Sequence, residues 1–493
     1  MRMSLICASK IMDEAQSSGE MFGDSEEAST SILQDACENA LEAFDLISLL
    51  PEELTLRIFA YLEAKDICRA SQVCLSWCRF GESDLLWRNK NRQQGFSDRR
   101  ADLPLLKHSL VRRLTRSLWK VNFARHFVVS RNWRYGSTRP VKELPAHQGH
   151  MITCLLLTDD NRIVSGSDDG IIKVWSVQRG QCLYTLPGHE AGIWAMEVEG
   201  SLLVSASVDR TVRIWNLETG ELDTVMVGHA QTVRCLALKD GICVSGSRDC
   251  TLRVWNVGLD ACNDWTSNKR MNGCLGVLMG HTRAIRCVRY NGIYIVSGSY
   301  DTHVRVWHPK EFICLMVLLG HAERLYALQF DGVHIVSGSL GNTIRIWDVK
   351  TGALKHLLVG HQMLSCKARQ DEHVVITATP DSEIHVWNIQ TGACILTMGS
   401  DVETRHSSGV TSVYLDETYV VSSADDGTCK LWDRRTGSFI RDIVRLPTRE
   451  IGGVVWRITA NHSTLVCAVG SRDRSIADVQ ETKLLLFNFD TET

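Results

Sequence analysis

This chain of 493 residues has little proline, no excess of charge of either sign and no long apolar run. It contains 8 Pro and 36 Gly, a composition that argues against a collagen-like chain, and the glycines recur at intervals that direct attention to repeats. The 54 Lys and Arg residues are balanced by 57 Asp and Glu residues, which disfavours wholesale nucleic-acid binding. No apolar stretch approaches the roughly 18 residues of a membrane span, so no membrane partner is expected.

The N-terminus lacks the charged, apolar and small-residue blocks of a secretory signal, although the chain holds 18 cysteines. We interpret these as reduced thiols and expect the protein in the nucleus and cytoplasm. The closest pair, Cys74 and Cys78, has no second pair at zinc-ligand spacing, so no metal or cofactor is expected. Phosphate-cradling glycine loops, nucleophile elbows and metal triads are also missing, and we therefore do not expect an enzyme.

A repeat of about 40 residues runs through the chain, and each copy ends on a tryptophan that follows Ile, Leu or Val. The tryptophans are Trp175, Trp215, Trp255, Trp307, Trp347, Trp387 and Trp432. Each has a histidine upstream at a nearly constant distance: His147, His189, His229, His281, His321, His361 and His406. A small-residue turn followed by an aspartate lies between them in six copies: Asp169, Asp209, Asp249, Asp301, Asp381 and Asp426. Gly341 takes the place of the aspartate in the fifth copy, and that blade is expected to be locally weaker.

This pattern resembles the WD40 repeat, in which four-stranded antiparallel sheets close radially into a propeller. The resemblance implies that the repeated His and Asp residues form a structural hydrogen-bonded network; a catalytic dyad is the alternative that seven copies disfavour. After the seventh tryptophan, 453–458 and 482–489 are interpreted as strands of a further blade, whose missing fourth strand 141–144 would supply. We expect an all-β, eight-bladed WD40 β-propeller over 141–493, with seven recognisable repeats and a degenerate eighth.

Residues 49–95 place apolar side chains at helical spacing after Pro51, and so few residues with this much apolar surface are expected to need a partner. The spacing LP-E-L-x3-I-x3-L, followed by S-x-V-C-x2-W and LW, resembles an F-box, which docks on a Skp-family adaptor. A helical hairpin packed on the propeller is the open alternative. By the resemblance, the adaptor-binding residues are Leu50, Pro51, Leu54, Ile58, Leu62 and Trp77.

Three further segments are expected from composition. Residues 1–30 are acidic and Ser-rich and are predicted to be disordered, whereas 31–48 could form a helix that supports a homodimer, as in related F-box proteins. Residues 96–140 are predicted to be a helical linker, because basic and apolar residues alternate along 103–127. Nuclear localisation or nucleic-acid contact is the rival interpretation of that basic segment.

Positions that differ between repeats are the candidate functional residues. The histidine turn and the aspartate turn lie at one end of each blade, so the residues five after the histidine and those beside the aspartate share a face. Arginine and aromatic residues concentrate there in blades two to five: Trp194, Arg210, Arg234, Arg248, Arg286, Tyr300 and Tyr326. Such a cluster should bind a dianion, since guanidinium forks match phosphate oxygens. Independent arginines, each paired with a nearby acid, are the alternative.

An F-box followed by eight blades, with arginines at these positions and a closing GGVVWRI, resembles the archipelago-type F-box/WD40 receptors of SCF ubiquitin ligases. The resemblance implies a substrate receptor that binds phosphorylated degrons and directs them to ubiquitination, with the adaptor, cullin and RING subunits as partners. It assigns the main phosphate to Arg234, Arg248 and Arg286, and the adjoining groove to Tyr300 and Tyr326. Trp194 and Arg210 would meet the peptide or its second negative group, and Thr232 would be a neighbouring donor. Val208 and Gln231 depart from the family pattern, which puts the preferred flanking sequence in doubt.

Other functions remain open from the sequence. A propeller scaffold or a chromatin or phosphopeptide reader without ubiquitin function would fit if 49–87 bound no adaptor. Trp432 to Arg435 matches the short WDxR pattern of a different class of cullin adaptor. Phosphoinositide or nucleic-acid binding through the arginines would be steeply salt-dependent. The insertion 258–276 is expected to be an exposed loop on the opposite face of the propeller.

Overall fold

The structure is a computed structural model that describes residues 45, 47, 50–94, 117–258, 273–340, 343–359, 367–370, 374–378, 382–446, 453–471 and 482–490. The chain divides into two compact units, Met1–Ala124 and Arg125–Thr493. The predicted disordered segment 1–30 lies outside the described residues, as does the centre of the insertion. The same holds for the predicted self-association helix, apart from Asp45 and Ile47.

The described helices follow the apolar spacing of the N-terminal part of the chain. They are α1 (Glu52–Tyr61), α2 (Ala64–Ala70), α3 (Leu75–Gly81), α4 (Asp84–Gln93) and α5 (Leu118–Tyr135). Pro51 stands just before α1, and Glu52 and Glu53 occupy its first turn, where negative charge is favourable. Among the described residues, no helix is long and apolar enough to cross a membrane.

The first unit has a small core of its own. Phe59, Ile67 and Trp87 are buried there together with Phe123 from the first half of α5. The indole Nε1 of Trp87 donates to the carbonyl of Gly81 at 2.7 Å, so this buried polar group is satisfied. The region 49–95 is therefore completed by residues that the sequence analysis had assigned to the linker.

The second unit contains eight four-stranded antiparallel sheets, the blades of a propeller. Blades 1 to 4 are β2 (Ile152–Leu157), β3 (Arg162–Ser167), β4 (Ile172–Ser176) and β5 (Gln181–Leu186); β6 (Ile193–Glu199), β7 (Leu202–Ser207), β8 (Val212–Asn216) and β9 (Glu221–Met226); β10 (Val233–Lys239), β11 (Ile242–Ser247), β12 (Leu252–Asn256) and β13 (Cys274–Leu278); and β14 (Ile285–Tyr290), β15 (Ile295–Ser299), β16 (Val304–Trp307) and β17 (Cys314–Leu318).

Blades 5 to 7 continue in the same order, and blade 8 takes its outer strand from before the first repeat. They are β18 (Leu325–Phe330), β19 (His334–Ser339), β20 (Thr343–Asp348) and β21 (Leu354–Val359); β22 (Lys367–Gln370), β23 (Val374–Ala378), β24 (Ile384–Asn388) and β25 (Cys394–Met398); β26 (Val410–Leu415), β27 (Tyr419–Ala424), β28 (Thr428–Asp433) and β29 (Phe439–Arg445); and β30 (Gly453–Ala460), β31 (Thr464–Ser471), β32 (Lys483–Asn488) and β1 (Lys142–Pro145).

The ring closes where the first and last strands meet. β1 pairs antiparallel with β32, with Leu144 opposite Leu484, and β2 of the first blade contacts β30 of the eighth. The predicted eighth blade and its borrowed fourth strand are confirmed. Closure leaves no open sheet edge between the first and last blades.

The repeated histidine, serine, aspartate and tryptophan residues form a hydrogen-bonded network in blades 1 to 4 and 7, as predicted. In blade 4, His281 Nδ1 lies 2.7 Å from the Asp301 carboxylate and its Nε2 lies 2.8 Å from Ser297 Oγ. The Trp307 indole donates to the same hydroxyl at 2.8 Å. These groups are buried or nearly so, and each has a partner. The network therefore pins three strands of the blade without leaving an unsatisfied polar atom.

Blade 5 keeps the network without its carboxylate. His321 Nε2 lies 2.8 Å from Ser337 Oγ, and the Trp347 indole donates to that hydroxyl. The nearest partner of His321 Nδ1 is the Thr343 hydroxyl at 3.3 Å. Position 341 lies outside the described residues.

The second half of α5 is part of the second unit. Trp133 stacks on Phe489 with ring centroids 3.9 Å apart, and Arg134 pairs with Asp433 at 2.7 Å. Arg441, on β29, donates through its guanidinium to backbone carbonyls at the end of this helix, including that of Trp133 at 2.8 Å. The part of the chain that packs with the propeller therefore begins before residue 141.

Candidate functional site

The site begins with a β-bulge that recurs in the innermost strand of the blades. In seven blades the pairing between the first two strands shifts by one residue, and the extra residue is left without a partner across the strand. A bulge bends the strand locally and re-aims the side chain of the extra residue. The bulge residues are Thr153, Trp194, Arg234, Arg286, Tyr326, Thr411 and Trp456. In blades 2 to 5 and 7, the position five after the histidine, which the sequence comparison selected, is therefore this bulge.

The bulge residues fall into two classes by their hydrogen bonds. The Thr153 and Thr411 hydroxyls donate to carbonyls of the next blade, those of Ile193 and Val455. Arg234 and Arg286 make no such bonds, and the Nε atom of each is buried without a partner. Small hydroxyl residues at the bulge join neighbouring blades, whereas the two arginines do not. A buried Nε without a partner also occurs at Arg253, Arg305 and Arg345, so it does not by itself distinguish the bulge arginines.

The aspartate turn supplies the remaining predicted residues on the same face. Arg248 and Tyr300 immediately precede Asp249 and Asp301. Their backbone amides donate to carbonyls in the segment that enters the first strand of the same blade; for Arg248 the acceptor is the Thr232 carbonyl, at 2.9 Å. These bonds join the aspartate turn to the histidine turn and so bring the two sets of predicted residues to one end of the blade. Thr232 itself is half-buried beside Arg234 in the chain.

Arg210 holds an unusual backbone conformation. Its φ is 72°, in the left-handed region that favours glycine, and Gly170 and Gly427 occupy the same turn position in blades 1 and 7. A residue with a side chain costs about 1 kcal/mol or more there. Cys250, Thr302 and Ser382 hold the same conformation at this position in blades 3, 4 and 6, so Arg210 shares it with other residues that carry a side chain.

The arginines share one electrostatic environment. Burial lowers the pKa of Arg234, and repulsion from Arg286 and Arg248 lowers it further. Within the described part of the chain, Arg210, Arg234, Arg248 and Arg286 have no carboxylate within ion-pair distance and no side-chain hydrogen bond. The alternative of independently neutralised arginines is therefore wrong for the described residues.

Aromatic side chains flank the arginines. The Arg234 guanidinium lies 4.7 Å from the centroid of the Trp194 ring, and Tyr300 and Tyr326 pack with ring centroids 5.3 Å apart. Arg324, which the sequence analysis did not select, lies 5.5 Å from the Tyr300 ring. It stands three residues after His321 rather than five, so a comparison restricted to one offset missed it. These arginines and aromatic residues are together called the axial pocket below.

The first unit exposes apolar side chains at the predicted adaptor-binding positions. Leu54 is 46% exposed and Ile58 39%, while Leu50 and Leu62 are half-buried. Pro51 is exposed at the start of α1, and Trp77 donates from Nε1 to the Asp45 carboxylate at 2.9 Å. Four exposed apolar residues at other spacings were missed: Tyr61, Val73, Leu75 and Leu85.

Comparisons with known proteins agree with both parts of the chain. Family models match as F-box-like over 47–93, as WDR41 over 135–273, and as WD domain, G-beta repeat over 272–308, 312–348 and 398–433. The F-box/WD repeat-containing protein sel-10 of Caenorhabditis elegans is 33% identical, over 90% of this chain and 79% of that protein. The chain belongs to the F-box/WD repeat-containing proteins.

Other relatives match over shorter stretches. F-box/WD repeat-containing protein 7 of Drosophila melanogaster is 45% identical over 31% of this chain, which corresponds to 12% of that protein. The probable E3 ubiquitin ligase complex SCF subunit sconB of Arthroderma otae is 27% identical over 29% of this chain and 24% of its own length. The crystal structure of the computationally designed Ika8 protein has a TM-score of 0.61 at 28% identity, covering 71% of this chain and 99% of that one.

Among the residues that the structure describes, no group of three or more His, Cys, Asp and Glu side chains converges as a metal site would require. The described cysteines are free thiols, and burial raises the pKa of Cys235 and Cys287, which flank the axial arginines, to about 12 and about 11. These thiols are protonated and unreactive at neutral pH.

Proposed function

We propose that this chain is the substrate-recognition subunit of an SCF-type ubiquitin ligase. Its axial pocket would bind a phosphorylated segment of the substrate, and its first unit would dock a Skp-family adaptor that connects to the cullin and RING subunits. The observation that carries the proposal is the group of four arginines on neighbouring turns with no carboxylate partner among the described residues. The name of the sconB relative, an SCF subunit, supports the ligase assignment.

The electrostatics of the pocket favour a doubly charged guest. Neighbouring guanidiniums repel one another in the empty state, and burial also disfavours the charged form of Arg234. A bound anion would offset both the repulsion and the cost of burial. A phosphate dianion offers three acceptor oxygens, and each charge-assisted hydrogen bond contributes about 1.5–3 kcal/mol. A carboxylate has a single charge and two oxygens, and it would engage fewer of the arginines.

The pocket walls fit a peptide rather than a free anion. Trp194 and the Tyr300–Tyr326 pair provide apolar surface beside the cationic centre, suited to a proline or an aliphatic side chain next to the phosphorylated residue. Arg210, one blade away from Arg234, suits a second phosphate or an acidic residue farther along the peptide. We therefore propose a phosphothreonine or phosphoserine followed by proline as the central element of the ligand.

The first unit supports adaptor docking through its exposed apolar residues. Leu54 and Ile58 lie one helical turn apart on α1, and Tyr61 beyond them is 92% exposed. Contiguous exposed apolar surface of this kind marks an interaction site. Two separate modules would then act by proximity, because a tethered substrate reaches a high effective concentration at the ubiquitin-charged enzyme. We also propose that the protein works in the nucleus and cytoplasm and is not itself an enzyme.

The direct test is phosphorylation-dependent binding to the full chain. A peptide with phosphothreonine-proline and an acidic residue downstream should bind at least 100-fold more tightly than its unphosphorylated twin in a calorimetric titration. Equal affinities would contradict the proposal, and so would tight binding of a DNA duplex that is abolished by salt.

The adaptor arm has its own test. Replacing Leu54 and Ile58 by alanine should release a purified Skp-family adaptor while leaving the affinity for the phosphopeptide unchanged. Val402→Ala is the matched control, because this valine is 76% exposed but lies in the propeller. If the double variant retained the adaptor, Leu54 and Ile58 would not be the docking residues. If the wild type never bound one, the chain would be a phosphopeptide reader without ubiquitin function.

A further inference from the structure

Arg457 lies at a position where the other described side chains are small. It follows the bulge residue Trp456 on β30 and pairs with Ala468 of β31. The residues at the same register in six other blades are Cys154, Ala195, Cys235, Cys287, Ala327 and Ser412. In blade 6, Lys367 takes this register position. At this register, blade 8 therefore carries a guanidinium where six other blades carry short side chains.

The hydrogen bonding of Arg457 leaves most of its donors available. Its Nε donates to the carbonyl of Thr153 in blade 1 at 2.8 Å, across the junction where the ring closes. In the described part of the chain, its terminal nitrogens have no hydrogen-bond partner and no carboxylate lies within ion-pair distance. One edge of the guanidinium is therefore fixed, while the nitrogens that form a bidentate fork remain available.

Arg457 faces the known cluster from the opposite side of the ring. Successive innermost strands contact one another around the full circle, so blades 4 and 8 are diametrically opposed. Burial lowers the pKa of Arg457, and repulsion from Arg286 of blade 4 lowers it further. An interaction between these two opposed blades has to cross the axis.

We infer that Arg457 is a further ligand-binding residue of the axial pocket. Its terminal nitrogens donate to the phosphate held by Arg234 and Arg286, and so enclose that group from the side opposite blade 4. The inference rests on the proposed function, since it concerns the same site. It adds a residue from the degenerate eighth blade, where no repeat motif drew attention to it, and it makes ring closure a condition for binding.

The experiment compares glutamine variants in the full chain. The Arg457→Gln variant keeps a donor for the Thr153 carbonyl but removes the positive charge and the paired terminal nitrogens. The expected result for Arg457→Gln is an affinity for a singly phosphorylated threonine-proline peptide about tenfold weaker than the wild type. Arg441→Gln is the matched control, because this half-buried arginine also donates to backbone carbonyls but lies on an outer strand. It should lower the melting temperature and leave the affinity within twofold.

A double-mutant cycle shows whether Arg457 contacts the phosphate directly or only supports the structure of the propeller. If Arg286 and Arg457 bind one phosphate, the loss in the double glutamine variant is smaller than the product of the single losses. Unchanged affinity of Arg457→Gln, or losses that multiply, would overturn the inference while leaving the proposed function intact. A wild type that does not distinguish the phosphorylated peptide would overturn both. Should Arg457→Gln not fold, Arg457→Lys, which keeps the charge without the fork, is expected to lose at least threefold in affinity.

Discussion

Two positions five residues apart, the repeat histidine and the bulge residue, differ in their hydrogen bonding, as blade 3 shows. The histidine is buried and hydrogen-bonded on both ring nitrogens, as His229 is to Asp249 at 2.9 Å and to Ser245 at 2.7 Å. The bulge residue that follows it, Arg234, keeps a buried Nε without a partner. The same fold thus builds a satisfied network and an unsatisfied cluster side by side.

The difference separates residues that stabilise the blade from residues proposed to bind the ligand. A network that satisfies every buried polar group stabilises a blade, and it recurs because each blade has the same requirement. Arginines grouped without a carboxylate repel one another in the empty protein. An anionic ligand would relieve that repulsion. Variants at the two positions should therefore affect different observables.

The largest effect is expected at the bulge. Arg234→Ala or Arg286→Ala should weaken phosphopeptide binding by about 3 kcal/mol, roughly 100-fold or more, because each removes charge-assisted bonds to the phosphate. The melting temperature should stay the same or rise slightly, since one like charge leaves the cluster. Calorimetric titration and thermal unfolding of the same samples measure both; a variant that loses stability in proportion to affinity would mean that the arginines are structural.

A change in the network should have the reverse effect. Ser245→Ala removes the hydroxyl that serves both His229 Nε2 and the Trp255 indole, and it leaves two buried groups without a partner. We expect the free energy of unfolding to fall by about 2 kcal/mol while the folded fraction binds phosphopeptide normally. Denaturant unfolding and titration provide the check. Loss of binding with full stability would contradict the division of roles.

The pH dependence should distinguish blade 5 from the others. Burial, followed by repulsion from Arg345, lowers the pKa of His321 to about 4 from its ordinary 6.5. The folded protein therefore keeps His321 neutral, while the unfolded chain takes up a proton below pH 6.5. Its contribution is complete above pH 6.5 and is lost as the pH falls towards 4, with a slope of at most about 1.4 kcal/mol per pH unit.

Aspartates in the other blades respond at lower pH. Burial alone would raise the pKa of Asp301, but hydrogen bonds led by that of His281 lower it below its ordinary 3.8. That contribution is present above pH 3.8 and lost below it. Thermal unfolding between pH 7 and 4 should show a flatter slope for His321→Gln than for the wild type, although the variant is less stable at pH 7. Parallel slopes would contradict this account of blade 5.

The smallest effect is expected at Arg210. Because its φ of 72° suits glycine, Arg210→Gly should stabilise the propeller by about 0.5 kcal/mol. The same change should weaken binding of a doubly phosphorylated peptide several-fold and leave the singly phosphorylated peptide unaffected. Chemical denaturation and peptide titration together test whether backbone strain is retained for the sake of the ligand; unchanged affinity for both peptides would argue against it.

Much of the fold could be predicted because the same residue spacing recurs in several blades. The spacing of Trp255 and His229 recurs in other blades, so accidental matches were averaged out. The borrowed strand, predicted at 141–144 and observed at Lys142–Pro145, followed from the need to close the ring. The candidate site residues were selected where the repeats disagree. What escaped prediction depends on contacts between distant parts of the chain.

Three residues illustrate that limit. Arg324 reaches the Tyr300 ring from an offset that differs by two residues, and Arg457 of the degenerate eighth blade donates to the Thr153 carbonyl of blade 1. Phe123 completes the core of the first unit, although its segment was assigned to a linker. The bulge that re-aims the inner-strand side chains is a property of strand pairing, which spacing along one strand does not reveal.

The structure of the full chain with a phosphothreonine-proline peptide bound tests the central claim most directly. The account predicts that the phosphate lies at the axis, with oxygens within hydrogen-bonding distance of the Arg234, Arg248 and Arg286 guanidiniums. A peptide seated elsewhere on the propeller, with those three arginines still unengaged, would contradict it.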